Sequence, residues 1–346
     1  MEVYDMELRR QMEFVLERMA ITDGSWSRTM NFWDWGSGVG LFGLTEAHKA
    51  TGDGIYLNYI QKWFDDNIAE RRITTVNCVI PCEALLYLFK LTENPSYAKI
   101  LDDYEKWCTT DSLKTVNGGI AHIWSEAETG DYKNQIWADT IFMAVMFMFD
   151  YGIAKNDKEL IAAAFRQLEI HIDCLRDEES GLFYHGYHCN RKEKMGQIWG
   201  RGDGWVVAAL SRLIPLLEKE GYDMSKYRAV FTKAMQSAYD NRTDNGMLRT
   251  LILDKEAYRE MTASMLFGYA AINGVQYNLL PEEYLSWARQ IESDIEYEDG
   301  GWMKYISAGT NPQGRDGYLD RPYIEANYGH GIALMFFSAL YKLGGR

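Results

Sequence analysis

The sequence predicts an all-α fold, an (α/α)6 barrel in which six inner helices are ringed by six outer ones. Three observations predict it. Two kinds of segment alternate strictly along the 346 residues, six of each. One kind is amphipathic at helical spacing and rich in charge, whereas the other is apolar on every side and rich in Gly, Ala and Ser. No run of alternating polar and apolar residues is long enough to demand a large sheet. A helix apolar all round is buried, and an amphipathic one covers it from outside. Small residues let the inner helices approach one another closely.

In chain order, the amphipathic segment 4–20 precedes the apolar "GVGLFGLTEAHKA" (38–50), and 53–70 precedes "VIPCEALLYLFKL" (79–91). Segment 95–109 precedes "DTIFMAVMFMFDYG" (139–152), and 156–175 precedes "DGWVVAALSRLIPLL" (203–217). Segment 226–240 precedes "TASMLFGYAAING" (262–274), and 281–295 precedes "GHGIALMFFSALYKLG" (329–344). Asn94-Pro95 and Asn156-Asp157 supply helix-start chemistry. The repeat is a helix pair with a period of roughly 60 residues, longer than familiar solenoid repeats. An open solenoid needs a polar terminal cap, yet the last inner segment is as apolar as the middle ones. Closure of six pairs into one domain over residues 1–346 is therefore expected.

Composition narrows the function. A net charge of −14 repels nucleic acid on average but leaves room for a small anion beside a local arginine. The longest apolar run, "IFMAVMFMF" (141–149), is far too short to span a bilayer, and the charged N-terminal stretch lacks a signal core. Five scattered cysteines, Cys78, Cys82, Cys108, Cys174 and Cys189, suggest free thiols and a cytoplasmic protein. Eleven tryptophans suit either a large helical core or the stacking platforms of a sugar-binding cleft.

The loops leading into the inner helices carry the unusual chemistry: "NFWDWGSG", "KNQIWAD", "QIWGRGDGW" and "GYLDRPYIEANYGH". In a closed barrel these converge on one funnel. The loops leaving the inner helices, "TGDG", "LTENP" and "AKND", read as ordinary turns.

Within "QIWGRGDGWVVAAL", Gly200, Gly202 and Gly204 match neither a dinucleotide fingerprint nor a P-loop, and Arg201-Gly202-Asp203 has no secretory context. The bland reading is a tight turn with Asp203 capping the helix. It leaves Trp199, Arg201 and Trp205 as a ring–guanidinium–ring cluster, and arginine grips carboxylates with two parallel hydrogen bonds. Asp139 opens the most apolar inner helix beside Trp137. It suits a helix cap, and equally a desolvated carboxyl able to donate a proton. Asp34 and Asp203 are weaker rivals. His185, His188 and Cys189 lie close together, but further zinc ligands do not stand out, and no metal or other cofactor is implied. His122 in "GGIAHIWSE" and Asn77 before an inner helix read as either structural or substrate-contacting residues, and Cys78 and Cys82 as small core residues. There is no G-x-S-x-G elbow, and of the two funnel acids that an ordinary glycosidase pair would need, Asp139 stands out while Asp34 and Asp203 are weaker rivals.

"QIWADTIFMA", "GLFYHGY" and "IWGRGDGWVVAAL", in this order, resemble the unsaturated rhamnogalacturonyl hydrolases of glycoside hydrolase family 105, relatives of the unsaturated glucuronyl hydrolases. The resemblance runs from "WDWGSGVGLFGL" to "YGHGIALMFFSAL". It implies an (α/α)6 barrel acting on a small anionic oligosaccharide whose non-reducing end is a 4,5-unsaturated uronic acid. In that reaction an aspartic acid protonates C4 of the vinyl ether, water adds at C5, and the hemiketal opens to release the neighbouring sugar. By motif match the acid is Asp139; Trp137, His185, Trp199, Arg201 and Trp205 line the pocket, and Trp35, Asn77 and His122 fall at substrate-binding positions. Two positions depart from the pattern: many relatives carry aspartate at Asn77 and asparagine at Asp203. A sugar 2-epimerase on the same barrel would use histidine pairs on inner helices, which are scarce here. A non-catalytic carbohydrate-binding barrel would keep the tryptophans and dispense with Asp139. No membrane or nucleic-acid partner is expected, and the sequence contains no signature of oligomeric state.

Overall fold

The computed structural model describes residues 2–21, 24–123 and 130–344. The Trp124–Glu126 end of the "GGIAHIWSE" segment lies outside the described residues. In chain order the helices are α1 (Glu2–Met19), α2 (Trp35–Thr51), α3 (Gly54–Asn67), α4 (Pro81–Thr92), α5 (Pro95–Lys106), α6 (Met146–Lys155) and α7 (Lys158–Leu175). They continue with α8 (Gly200–Lys219), α9 (Ser225–Asp240), α10 (Met261–Gln276), α11 (Glu283–Ser293), α12 (Arg315–Leu319) and α13 (Asn327–Gly344). The expected alternation holds: α2, α4, α6, α8, α10 and α13 are the apolar helices, with buried runs such as Ser37–Ala47 and Met261–Ile272. The short α12 was not anticipated. No helix among the described residues is long and apolar enough to cross a membrane.

The turns leaving the first three apolar helices have the local chemistry that ends one helix and starts another. Gly52, Glu93 and Asn156 adopt left-handed backbone conformations at the C-caps. Asp53 and Asn94 then accept from Ile55 N–H and Ser96 N–H, and Asp157 accepts from Glu159 and Leu160.

The chain forms two compact units, one of Met1–Asn134, Met143–Leu168 and Glu325–Arg346, the other of Gln135–Phe142 and Glu169–Ile324. In the first, α2 packs on α13 with their backbones in contact: a Cβ on Gly43 would run into the Gly331 carbonyl, and one on Gly331 would lie 2.6 Å from Val39 O. Three buried cysteines lie in the same unit. Cys78, Cys82 and Cys108 are unpaired, and burial pushes the Cys108 thiol up to about 12, so these are inert core groups.

The second unit contains a small antiparallel sheet of order β1-β2-β3, formed by Gln135–Trp137, Tyr184–His188 and Glu193–Ile198. It is a local departure from the all-α expectation. β1 has three residues, all buried, so it carries no alternating pattern to read. The same unit holds α8 against α10, where the first turn of α8 begins on β3's far end.

Candidate active site

β1 delivers Trp137 and then stops. Ala138 N–H donates to His185 O at 2.9 Å, which extends the ladder by one bond, and Asp139 follows as the first helical residue. A π-helical turn, Ile141–Val145, then leads into α6. β2 delivers His185 from the neighbouring strand, with Trp137 opposite Gly186. The pairing brings His185 Nε2 to 3.5 Å from Asp139 Oδ2. The His185 side chain is fully buried, whereas Asp139 keeps 17% of its side chain accessible.

Aromatic groups enclose the imidazole. Trp137 meets it edge-on at 5.2 Å, Trp199 lies at 4.4 Å and 32°, and the Tyr318 hydroxyl is 2.7 Å from Nδ1. Burial lowers the His185 pKa, the carboxyl of Asp139 opposes that shift, and the Arg201 charge adds to it. The ring is therefore neutral at physiological pH.

Arg201 is 1% exposed, with its guanidinium 4.8 Å from the Trp199 ring centroid. Nη1 donates to Ser307 O at 2.9 Å and lies 3.4 Å from Glu260 Oε1; Nη2 donates to Ala308 O at 2.9 Å. Glu260 caps α10 by accepting from Ala263 N–H and also accepts from Ser307 N–H. Arg201 and Glu260 thus fasten the 307–308 segment behind Trp199.

The glycines and Asp203 do not make a capped turn. Gly200, Gly202 and Gly204 are already helical, and the N-cap is Trp199, without a side-chain cap bond. Gly200 N–H donates to Thr250 O at 2.8 Å, so the helix is started by a distant carbonyl. A Cβ at Gly200 would sit 2.6 Å from Arg249 O, and one at Gly204 would sit 2.9 Å from Leu266 Cβ. The glycines therefore serve close approach. Asp203 lies within the helix, fully buried, with Oδ1 accepting from Phe183 N–H at 2.7 Å and Oδ2 unpartnered. Burial raises its pKa well above the usual carboxylate value, opposed by the Phe183 N–H bond.

Trp205 is also buried, 4.8 Å from Phe142. It packs one turn deeper in the helix than Trp199 and Arg201. His188 is buried with Nδ1 accepting from Arg191 N–H, beside buried Cys189. No group of three potential metal ligands occurs among the described residues.

Trp35, Asn77 and His122 belong to the first unit. Trp35 opens α2 between Trp26 at 5.7 Å and Tyr328 at 4.6 Å. Asn77 sits half-buried in a 3-10 turn, Val76–Cys78, and His122 is buried. Asp34 is the N-cap of α2, accepting from Trp35 N–H at 2.8 Å.

Sequence reasoning missed Tyr318, Glu260 and Ser307. Glu260 had a readable signal, an acid at the start of an apolar helix, the same one that marked Asp139. Tyr318 lay within the loop "GYLDRPYIEANYGH", noted for its chemistry but not resolved to a residue.

The family model for Glycosyl Hydrolase Family 88 matches residues 11–343. The chain belongs to Glycosyl Hydrolase Family 88. This family 88 chain is 26% identical over 314 residues to the unsaturated rhamnogalacturonyl hydrolase YesR of Bacillus subtilis strain 168, covering 90% of each. It is 24% identical over 340 residues to an unsaturated 3S-rhamnoglycuronyl hydrolase of Formosa agariphila, covering 90% of this chain and 85% of that one. A crystal structure from Salmonella enterica serovar Paratyphi A, described as a "possible member of GH105 family", superposes with a TM-score of 0.92 at 24% identity, covering 98% and 95% of the chains. The family 88 chain is a glycoside hydrolase, and the shared fold is the (α/α)6 barrel expected from its sequence.

Proposed function

We propose that this chain removes a 4,5-unsaturated uronic acid from the non-reducing end of lyase-generated oligosaccharides, unsaturated rhamnogalacturonan disaccharide first among them. The observation that carries the reading is the state of the acids around His185. Glu260 and Asp203 are fully buried and engaged with backbone groups, so Asp139 is the acid of this cluster with accessible side-chain surface. One working carboxyl suits vinyl-ether hydration, whereas ordinary glycoside hydrolysis needs a spaced pair. The names of the two relatives point to the same substrate class.

In the proposed reaction Asp139 gives its proton to C4, and the cation at C5 is shared with the ring oxygen. The carboxylate left behind takes a proton from the water that adds to C5. The hemiketal opens to a ketone at C5, and the hemiacetal exposed at C1 collapses to an aldehyde with release of the neighbouring sugar. Motif match keeps Arg201 among the pocket residues, where its guanidinium braces Trp199 and the 307–308 segment, while Trp137 and Trp199 wall His185 from water. Trp205 backs this wall, and motif match adds Trp35, Asn77 and His122 as substrate contacts. The whole chain, residues 1–346, acts as one catalytic domain. Its buried free thiols suit the cytoplasm.

The test is the ultraviolet absorbance of the conjugated C4=C5 bond during incubation with the unsaturated disaccharide. Absorbance falls with wild-type protein, and in Asp139→Asn the rate drops by about 10²–10⁴-fold, the range for loss of a general acid. Full activity in Asp139→Asn refutes the assignment of the acid.

A further inference from the structure

The hydroxyl of Tyr318 lies between a main-chain donor and an imidazole nitrogen. Gln197 N–H donates to it at 3.4 Å. A phenol oxygen has two lone pairs and one hydrogen. Gln197 N–H can only donate, so the buried phenol hydrogen has His185 Nδ1, 2.7 Å away, as its acceptor. Nδ1 of the neutral ring is then the acceptor, and Nε2 carries the hydrogen. That N–H faces Asp139 Oδ2, which is itself buried.

The chain makes room for this contact. Gly196, on β3 with φ +74°, lies where any Cβ would strike the Tyr318 hydroxyl and crowd His185 Cβ at 3.2 Å. Tyr318 is fully buried, and burial raises its pKa, so the phenol keeps its proton. The short helix α12, which carries it, has no other role in the reaction as described.

We propose that Tyr318 is a positioning residue: by donating to His185 Nδ1 it holds the imidazole as the Nε2–H tautomer, which assigns Asp139 Oδ2 to accept and Oδ1 to carry the transferred proton. The inference rests on the reaction proposed above, with Asp139 as the acid. Without the Tyr318 hydrogen the ring is free to protonate on Nδ1. Nε2 then presents a lone pair to Asp139, and the carboxyl proton is drawn onto Oδ2, away from C4. The carboxylate also loses an N–H donor, so the acid holds its proton to higher pH.

Two measurements test the role. Nitrogen-15 spectra of histidine-labelled protein, with His185 assigned by comparison with a His185→Gln spectrum, read the tautomer without any substrate. The expected wild-type signature is unprotonated Nδ1 and protonated Nε2, with Nδ1–H gaining population in Tyr318→Phe. Kinetics with the unsaturated disaccharide should then show kcat about tenfold lower in Tyr318→Phe and KM within about twofold. The alkaline limb of the kcat–pH profile should move upward. An Nδ1–H tautomer in the wild type overturns the relay whatever the turnover, and so does a Tyr318→Phe kcat within twofold of wild type with an unmoved limb. A wild type that shows the Nε2–H tautomer but turns over no unsaturated uronide overturns the reaction, and the positioning role with it. The spectra therefore separate failure of the relay from failure of the reaction.

Discussion

Asp203→Asn isolates a single buried proton. In the folded chain Asp203 is enclosed in the first turn of α8, and its pKa is raised well above 3.8 chiefly by desolvation, with the Phe183 N–H bond opposing. Above the unfolded pKa the unfolded chain releases this proton and the folded chain keeps it. Folding therefore takes up one proton, and rising pH opposes folding until the buried group itself titrates. One proton corresponds to about 1.4 kcal/mol per pH unit. Asparagine preserves the acceptor for Phe183 N–H and has nothing to titrate, so the two proteins should differ little near pH 4. From about pH 4.5 upward, Asp203→Asn should gain on wild type by up to about 1.4 kcal/mol for each pH unit until the buried group itself titrates. Urea denaturation at pH 4.5, 5.5 and 6.5 measures this, with m-values checked for equality. A stability difference independent of pH would show that Asp203 is ionised in the folded state and would refute the argument. A protonated Asp203 has nearly the shape and polarity of asparagine, which is why this substitution isolates the proton.

His330, buried in α13, gives the opposite slope: desolvation first, then the Arg18 charge, drops its pKa to about 3 from 6.5. The unfolded chain takes up a proton as pH falls below 6.5 and the folded chain does not, so stability declines toward acid by about 1.4 kcal/mol per unit. His330→Gln should flatten that limb in the same urea series. Glu260→Ala leaves the Arg201 guanidinium buried without its acid and should cost about 3–5 kcal/mol. A double Glu260→Met, Arg201→Met variant should cost clearly less than the sum of the two single changes, measured by denaturation midpoints.

The helix pairs were legible because their signal repeats: an all-round apolar stretch such as "DTIFMAVMFMFDYG" is hard to place anywhere but inside, and Asp53, Asn94 and Asp157 use helix-start chemistry that acts over two or three residues. Asp139 was legible for a related reason, an acid beside a tryptophan at the head of the most apolar helix. What could not be read depends on residues far apart in the chain. Tyr318 reaches His185 across 133 positions, and Arg201 finds Glu260 across 59. The misreading of Asp203 has the same origin. Local chemistry favours a cap there, but the Thr250 carbonyl starts α8 at Gly200, and Asp203 becomes an interior residue. The strand that leads to Asp139 escaped notice because its three buried residues have no period.

That sheet has a consequence for redesign. Asp139 follows β1 after one residue and His185 lies within β2, so their spacing is set by main-chain ladder bonds, Ala138 N–H to His185 O among them. Such bonds are indifferent to the identity of neighbouring side chains. Residues beyond the ladder, including the loops that would meet a leaving sugar, can be exchanged while the acid and its imidazole stay in register. The proton-transfer machinery is thus modular, a fixed cassette of two short strands around which substrate preference can be rewritten.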